Sequence, residues 1–454
     1  FFCLMIRRPP ISTQSRSSAA SDVYKRQLFA RLRDEDPLHW NAEPDGPGFW
    51  SVTRYEDVKA VAANHEDFTV TEGTQIASRR AEGEAARSIH HVDPPEHSKL
   101  RGIVTPHIRP TKIKGLEADI IRVVDELLDT AIAAGEVDFV ATVAAQLPLV
   151  MIGRLLGAPL ADCPNLLRWT NQMASEDPDY SEGPETAVRA RDEVFDYFRQ
   201  LEKLRQQCPA DDLVSVLVVA ELDGAPLSRG YLDAYYLIMM VAGNETTRNL
   251  LSGGVAVLAE QPRWWEVMRE DPATIRLVVE EMLRWVTPVL CMRRTATRDI
   301  EMHGKTIKAG DKVAMWFVSG NRDEDVFADP FRFDVTRTPN DHIAFGGGGA
   351  HFCLGANLAR MELRLIFEEI AARLPSSLCL IHLAQLTLIV SHPGKDVGDP
   401  KRLQAAFRHG GTSYRLRVTD PAYESDYIAR NNGEYPIGES YLTVSISEPF
   451  NGFC

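Results

Sequence analysis

No apolar run approaches the roughly 18 to 20 residues that a bilayer-crossing helix requires. The longest candidates are Leu378 to Val390 and Leu237 to Ala242, so the chain reads as soluble and without a transmembrane anchor. Positive charge is also short. Fifty Lys and Arg against 64 Asp and Glu leave a formal net charge of −14. That is the opposite of the basic face that phosphate neutralisation demands, and nucleic acid is excluded as an expected partner. Cysteine is sparse: Cys3, Cys163, Cys208, Cys291, Cys353, Cys379 and Cys454 lie scattered, with no CxxC pair. In a chain too large to need disulfide staples this points to a reducing, cytoplasmic compartment. Between Leu28 and Pro375 there is no internal repeat, low-complexity linker or composition shift, which favours one domain.

The two ends lack structural logic. Phe1 to Gln27 mixes Arg-Arg-Pro-Pro with a Ser/Thr/Gln tract and has no ordered signal-peptide regions. Its segment Ser17 to Gln27 looks like translated sequencing-adapter read-through. Residues 1–27 are therefore expected to be a non-native or disordered extension, and a single domain is expected over 28–420. Within it, 376–400 is atypical because Gly and Pro interrupt it, and 421–454 is an unassigned tail in which disorder or a frame error is expected.

What remains is dominated by helical periodicity. Apolar residues recur at three- and four-residue steps over Leu116 to Ala134, Val188 to Arg205 and Leu354 to Arg373. Short β-type runs occupy Phe49 to Thr53 and the region Ile300 to Val318, where Gly304 and Ala309-Gly310 read as turns. The expected fold class is mainly α with a small β region.

Chemistry concentrates in four places. The first is Phe345-Gly346-Gly347-Gly348-Gly349-Ala350-His351-Phe352-Cys353-Leu354-Gly355, which runs straight into an amphipathic helix. Four glycines are costly to order. They make sense where backbone must lie flat against something large while a cysteine is presented ahead of a helix N-terminus, whose dipole favours a thiolate. A haem iron fits, since thiolate ligation favours O–O cleavage. The plainer alternative is a buried free cysteine beside a glycine-rich turn.

The second place is Tyr235 to Val241, apolar nearly all round as a central buried helix should be, leading into Ala242-Gly243-Asn244-Glu245-Thr246-Thr247. A small pair lets a ligand approach the backbone, and a carboxylate beside a hydroxyl can pass protons to dioxygen. Alternatively, the threonines bond back to carbonyls four residues earlier and Glu245 is a surface acid. Third, Glu281 and Arg284 stand three apart on one helix face. Fourth, Asp93-Pro94-Pro95-Glu96 reads as a helix start, with an Asp cap and Glu three residues on. It places His97 and Arg101 on one face, a pairing suited to an anion.

Together and in this order, these motifs resemble the cytochrome P450 family from about Leu28 to Pro375. The resemblance implies that fold, with haem b buried between the long central helix and the cysteine loop, and Cys353 as the iron ligand. It implies Thr246, Glu245 and Gly243 as the oxygen-handling residues. His97, Arg101, Arg294 and His351 would hold the haem propionates, with Phe345 and Gly355 also at the cofactor. Glu281, Arg284 and Arg337 would form a structural ion-pair network, for which breaking a buried pair costs about 3 to 5 kcal/mol. Met239, Val241, Ala242, Val289, Leu290 and the segment Thr71 to Ile89 would face substrate. One departure stands out: seven residues before the cysteine, where the family usually carries Phe, this chain has Gly346, with Phe345 one position earlier. The extra glycine and Ala242-Gly243-Asn244-Glu245-Thr246-Thr247-Arg248-Asn249 are similar to the actinobacterial branch that oxidises sterol side chains and methyl-branched lipids.

The resemblance implies a monooxygenase that inserts one oxygen atom of O2 into a C–H bond of a sterol, methyl-branched lipid, fatty acid or terpenoid. Its electrons would come from NAD(P)H through ferredoxin reductase and ferredoxin. Lys99, Arg109, Lys112 and Lys114 form a positive cluster in an acidic chain and could guide the ferredoxin. Two other readings are a peroxide-driven haem peroxygenase, which would need neither proton relay nor redox partner, and a non-catalytic haem-thiolate binding or sensing protein.

Overall fold

Helices form where apolar residues fall on one stripe. Over Glu117–Ala134 the buried positions are Ile120, Val123, Val124, Leu128 and Ala131, and the helix stops at Gly135, whose φ of 76° a side chain would resist. In the computed structural model, the described residues are 18–43, 46–76, 88–174 and 183–374, with the strands Cys379–His382, Leu386–Ile389, Gln404–His409, Thr412–Val418 and Val444–Ser447. The chain divides into two compact units, Phe1–Val390 and Ser391–Cys454. Among the described residues, no helix is long and apolar enough to cross a membrane.

The first unit is mainly α with a small β region, as expected. The helix Arg229–Glu260 runs through its middle. Its first half, with Tyr231, Tyr235, Tyr236 and Met240, packs in a cluster with Leu149, Leu166, Val194 and Phe198. Its second half, with Leu250, Leu251, Val255 and Leu258, belongs to another cluster with Val124, Val278, Met282, Leu363 and Ile366. Each fully buried side chain of this size contributes roughly 1.5 to 3 kcal/mol. The polar segment Asn244 to Thr247 falls between the two clusters. A third cluster lies beneath a five-stranded sheet.

That sheet has the order Leu38–Asn41, Phe49–Val52, Lys312–Met315, Met292–Ala296, Phe68–Thr69. Only the pairing of Phe49–Val52 with Lys312–Met315 is parallel. The expected turns appear at Gly304, between Ile300–Met302 and Lys305–Ile307, and at Gly310 before Lys312–Met315. Glu136–Asp138, Leu386–Ile389 and Cys379–His382 form a second, antiparallel sheet.

A helix runs without interruption over Ser18–Glu35, because Ala, Lys, Arg, Gln and Leu are strong helix formers whatever their origin. Residues 1–17 lie outside the described residues. In the second unit, Gln404–His409, Thr412–Val418 and Val444–Ser447 make an antiparallel sheet. Its last strand falls in the segment read as an unassigned tail, most of which lies outside the described residues.

Candidate active site

The cysteine loop closes on itself through a hydrogen bond from the Cys353 N–H to the Phe345 carbonyl at 2.9 Å. Gly355 then caps the helix Ala356–Arg373. Two of the four glycines, Gly347 and Gly349, lie close against protein. A Cβ on Gly349 would sit 2.8 Å from Ala63 Cα and 2.9 Å from the Ala62 carbonyl, with φ at +74°. This loop packs on the helix Tyr55–Ala63, and that neighbour, together with the left-handed backbone, requires glycine. Gly346, in the position of the family's Phe, has φ +98°, a conformation closed to Phe without strain. Phe345 takes up aromatic contact instead, 6.3 Å from Phe352 and under the Arg360 guanidinium at 4.5 Å.

Cys353 is a free cysteine with accessible surface. Enclosure by protein pushes its thiol up from the usual range, opposed by the backbone N–H of Gly355, by Arg101 and Arg360, and by the N–H of Ala356. Among the described residues, no three His, Cys, Asp or Glu side chains converge as a metal cage. A metal on Cys353 would need its remaining coordination from a group that brings its own ligands.

Nearby, four nitrogen-bearing side chains lack an anionic partner among the described residues. His97 is 2% exposed and its Nδ1 has no partner; Nε2 of His351 is likewise buried and unpartnered. The two rings lie 4.2 Å apart. Arg101 donates to the Ala350 carbonyl at 3.3 Å, and buried Arg294 to the Arg293 carbonyl at 3.1 Å. Neither has an ion pair among the described residues. Burial, followed by Arg101, pushes His97 down to about 4. Burial, followed by Arg294, pushes His351 down to about 2, and burial brings Arg294 down to about 10. Two carboxylates would satisfy these donors, and haem carries two; the residues present fit that group. A cavity of about 470 Å³ opens between His97, Arg101, Thr105, Gly349 and Ala350 on the same side.

The helix Glu96–Ile108 that carries His97 and Arg101 starts differently from the expected capped form. Pro95 is its N-cap and makes no side-chain bond. The Asp93 carboxylate turns instead to the Val70 N–H at 3.2 Å and the Thr69 hydroxyl, while its carbonyl accepts from the His97 N–H at 3.0 Å. Glu96 does not reach back either; it accepts from the Tyr231 hydroxyl. With the Tyr235 hydroxyl on the Leu100 carbonyl at 2.6 Å, this ties the helix to the central one.

On that central helix, Thr246 bonds back to the Ala242 carbonyl at 2.8 Å. Glu245 is no surface acid: it is 8% exposed, burial raises its pKa against the pull of Arg248, and Arg248 lies 3.5 Å away. A Cβ on Gly243 would meet Ile152 Cδ1 at 3.2 Å. Both amide atoms of the fully buried Asn244 lack partners, a feature that the polarity of the segment alone did not single out.

Glu281 and Arg284 are both 0% exposed and joined at 2.7 and 2.8 Å, with Arg337 Nε 3.4 Å from Glu281. The neighbouring Glu280, missed in the sequence, ties the same helix to residues on either side of the cysteine loop. It accepts from Arg360 at 2.7 Å and lies 3.0 Å from His342. Burial would raise it, yet these bonds hold it at about 2. Met239, Val241, Ala242, Val289 and Leu290 are half-buried. Met239 borders the cluster of the central helix's first half, and Val289 the one beneath the sheet. Residues 77–87 of the segment expected to face substrate lie outside the described residues. In the basic cluster, Lys99 and Lys112 are paired with Asp223 and Asp211 at 2.6 Å, while Arg109 and Lys114 are exposed.

A family model, Cytochrome P450, matches residues 184–374; another, Dual OB-containing domain, matches 354–454. The chain is 37% identical to a steroid C26-monooxygenase of Rhodococcus jostii over 87% of its own length and 83% of the relative's. It is 38% identical to a methyl-branched lipid omega-hydroxylase of Mycobacterium tuberculosis, covering 79% and 86%. A Mycobacterium marinum cytochrome P450 in complex with pseudoionone superposes with a TM-score of 0.74 at 35% identity, covering 85% of this chain and 98% of that one. Sequence identity over most of both chains, the shared fold and the cysteine loop lead to one conclusion: this chain belongs to the cytochrome P450 family of monooxygenases, haem enzymes with a cysteine thiolate on iron.

Proposed function

We propose that the protein hydroxylates an unactivated C–H bond of a sterol, methyl-branched lipid or similar hydrophobic molecule. The balanced reaction takes O2, two electrons and two protons and returns the alcohol and water. Electrons come from NAD(P)H through ferredoxin reductase and ferredoxin. The named relatives act on such molecules, and half-buried apolar residues flank the central helix. When bound, the haem supplies reductive activation of O2.

The chain's own residues do the rest. Cys353 binds the iron, with the N–H groups of Gly355 and Ala356 favouring the thiolate. His97, Arg101, Arg294 and His351 hold the two carboxylates. Glu245, raised by burial above the usual carboxylate range, hands a proton to the Thr246 hydroxyl; that hydroxyl is fixed by the Ala242 carbonyl. Arg248 positions the Glu245 carboxylate. Met239, Val241, Ala242, Val289 and Leu290 orient the substrate and exclude water.

The single observation that carries the reading is the buried, unpartnered pair His97 Nδ1 and His351 Nε2 beside the cysteine loop. Product formation from cholest-4-en-3-one and from a methyl-branched fatty acid tests it, with ferredoxin, reductase and NADPH. Alcohol product with electron supply supports the proposal. Product with hydrogen peroxide alone would identify a peroxygenase, and no product with either would leave a binding protein; both outcomes overturn it.

A further inference from the structure

The 3₁₀ turn Ile89–His91 carries two histidines for which the proposed mechanism has no use. It is anchored to the strand that presents Arg294. The Thr74 carbonyl accepts from the Arg293 N–H at 2.8 Å, and the Thr74 hydroxyl lies 3.3 Å from His91 Nε2. The rings of His90 and His91 lie 3.8 Å apart. His91 is turned inward, its Nδ1 buried. His90 is not: its Nδ1 meets the Ser88 hydroxyl at 2.8 Å, and its Nε2 has no partner among the described residues and is not sealed off.

One of the two tautomers compatible with the Ser88 contact makes that free nitrogen a donor. When its hydroxyl donates to Nδ1, the proton of a neutral imidazole sits on Nε2, making His90 a directional N–H donor. Burial, with His91 and Arg294 adding to it, holds the ring neutral by pushing it down to about 3. His90 is also within electrostatic reach of His351. The surroundings are those of an anion site. His97, Arg101, Arg294 and His351 can all donate, and among the described residues the nearby carboxylate of Asp93 is already engaged by Thr69 and Val70. Successive strand residues point to opposite faces, and Arg293 is spent on the Gln75 and Glu72 carbonyls. That leaves Arg294 on the face shared with the clamp.

We propose that His90 is a fifth donor to the haem carboxylates, giving its Nε2 proton to the anion that Arg294 and His351 hold. The proposal rests on the haem reading of this site. It makes His90 a positioning residue.

The test compares wild type, His90→Leu and His90→Gln, each loaded with protohaem or with its dimethyl ester, which has no carboxylates. The readout is the rate of haem transfer to excess apomyoglobin, with circular dichroism to confirm folding. A hydrogen bond to a charged acceptor predicts roughly tenfold faster protohaem loss in His90→Leu. Much of that should be rescued in His90→Gln, which keeps an N–H, and no difference among the three is expected with the ester. Equal acceleration for both haems would assign His90 a structural role and overturn the proposal. Unchanged haem loss with weakened cholest-4-en-3-one binding would place His90 on substrate, also overturning it. Failure of the wild type to take up haem would sink the underlying site as well, a result distinct from either.

Discussion

Truncating Arg284 to Ala isolates the buried network that steadies the cysteine loop, and its effect can be worked out bond by bond. All five N–H groups of Arg284 are used: two on Glu281 at 2.8 and 2.7 Å, two on the Asn321 and Pro330 carbonyls at 2.8 and 3.0 Å, and one on the Arg332 carbonyl at 3.2 Å. After truncation Glu281 keeps the Asp334 N–H at 2.8 Å, Asn340 at 3.1 Å and Arg337 at 3.4 Å, so its charge is not left bare. Arg322 still reaches the Asn321 carbonyl and Arg337 the Arg332 carbonyl, whereas Pro330 loses its one donor among the described residues. Breaking a buried pair costs about 3 to 5 kcal/mol, and the surviving counter-cation places Arg284→Ala near 3. Glu281→Ala leaves two guanidiniums without a counterion and should cost about 5. Urea unfolding in saturating hemin, which holds the ligand contribution constant, measures both. A loss under about 1 kcal/mol for Arg284→Ala, or the reverse order, would refute the reasoning.

Three further substitutions probe other parts of the site. Glu362 is fully enclosed on the helix after Cys353, has no partner among the described residues, and is raised by burial from 4.5 to about 8. The folded state therefore holds a proton that the unfolded state releases. Its contribution is intact below pH 4.5 and is lost as pH rises toward 8, so Glu362→Gln should gain about 3 kcal/mol over wild type by pH 7; equal pH slopes for the two proteins would show that the carboxyl is ionised when folded. Glu245→Gln should slow product formation about a hundredfold at saturating reductant, and a change under twofold would remove Glu245 from proton delivery. Gly349→Ala, pressed on Ala63 backbone at φ +74°, should destabilise by about 2 to 3 kcal/mol, read as a lowered urea midpoint; a neutral result would mean that the loop can move away from the helix.

The helical frame was legible because Ile120, Val124 and Leu128 repeat the helix period, and Glu281 with Arg284 because spacing puts them on one face. What escaped the sequence depends on long-range partners. The Asp93 cap failed because Thr69 and Val70, far from the helix start along the chain, offer donors. The packing of Gly347 and Gly349 on the helix Tyr55–Ala63 joins segments far apart in the chain. Glu280 joins Arg360 across 80 residues, and His90 acquires meaning only once its turn lies beside Arg294. Periodicity reports which face a helix buries, not which distant polar atom meets it.

The most direct test of the central claim is the difference spectrum of the dithionite-reduced protein with carbon monoxide, alongside Cys353→Ala. Thiolate ligation by Cys353 predicts a Soret band strongly red-shifted from that of histidine-ligated haem and absent from the variant. A folded, haem-loaded wild type lacking that band, or a variant that retains it, would contradict the assignment of Cys353 as the iron ligand.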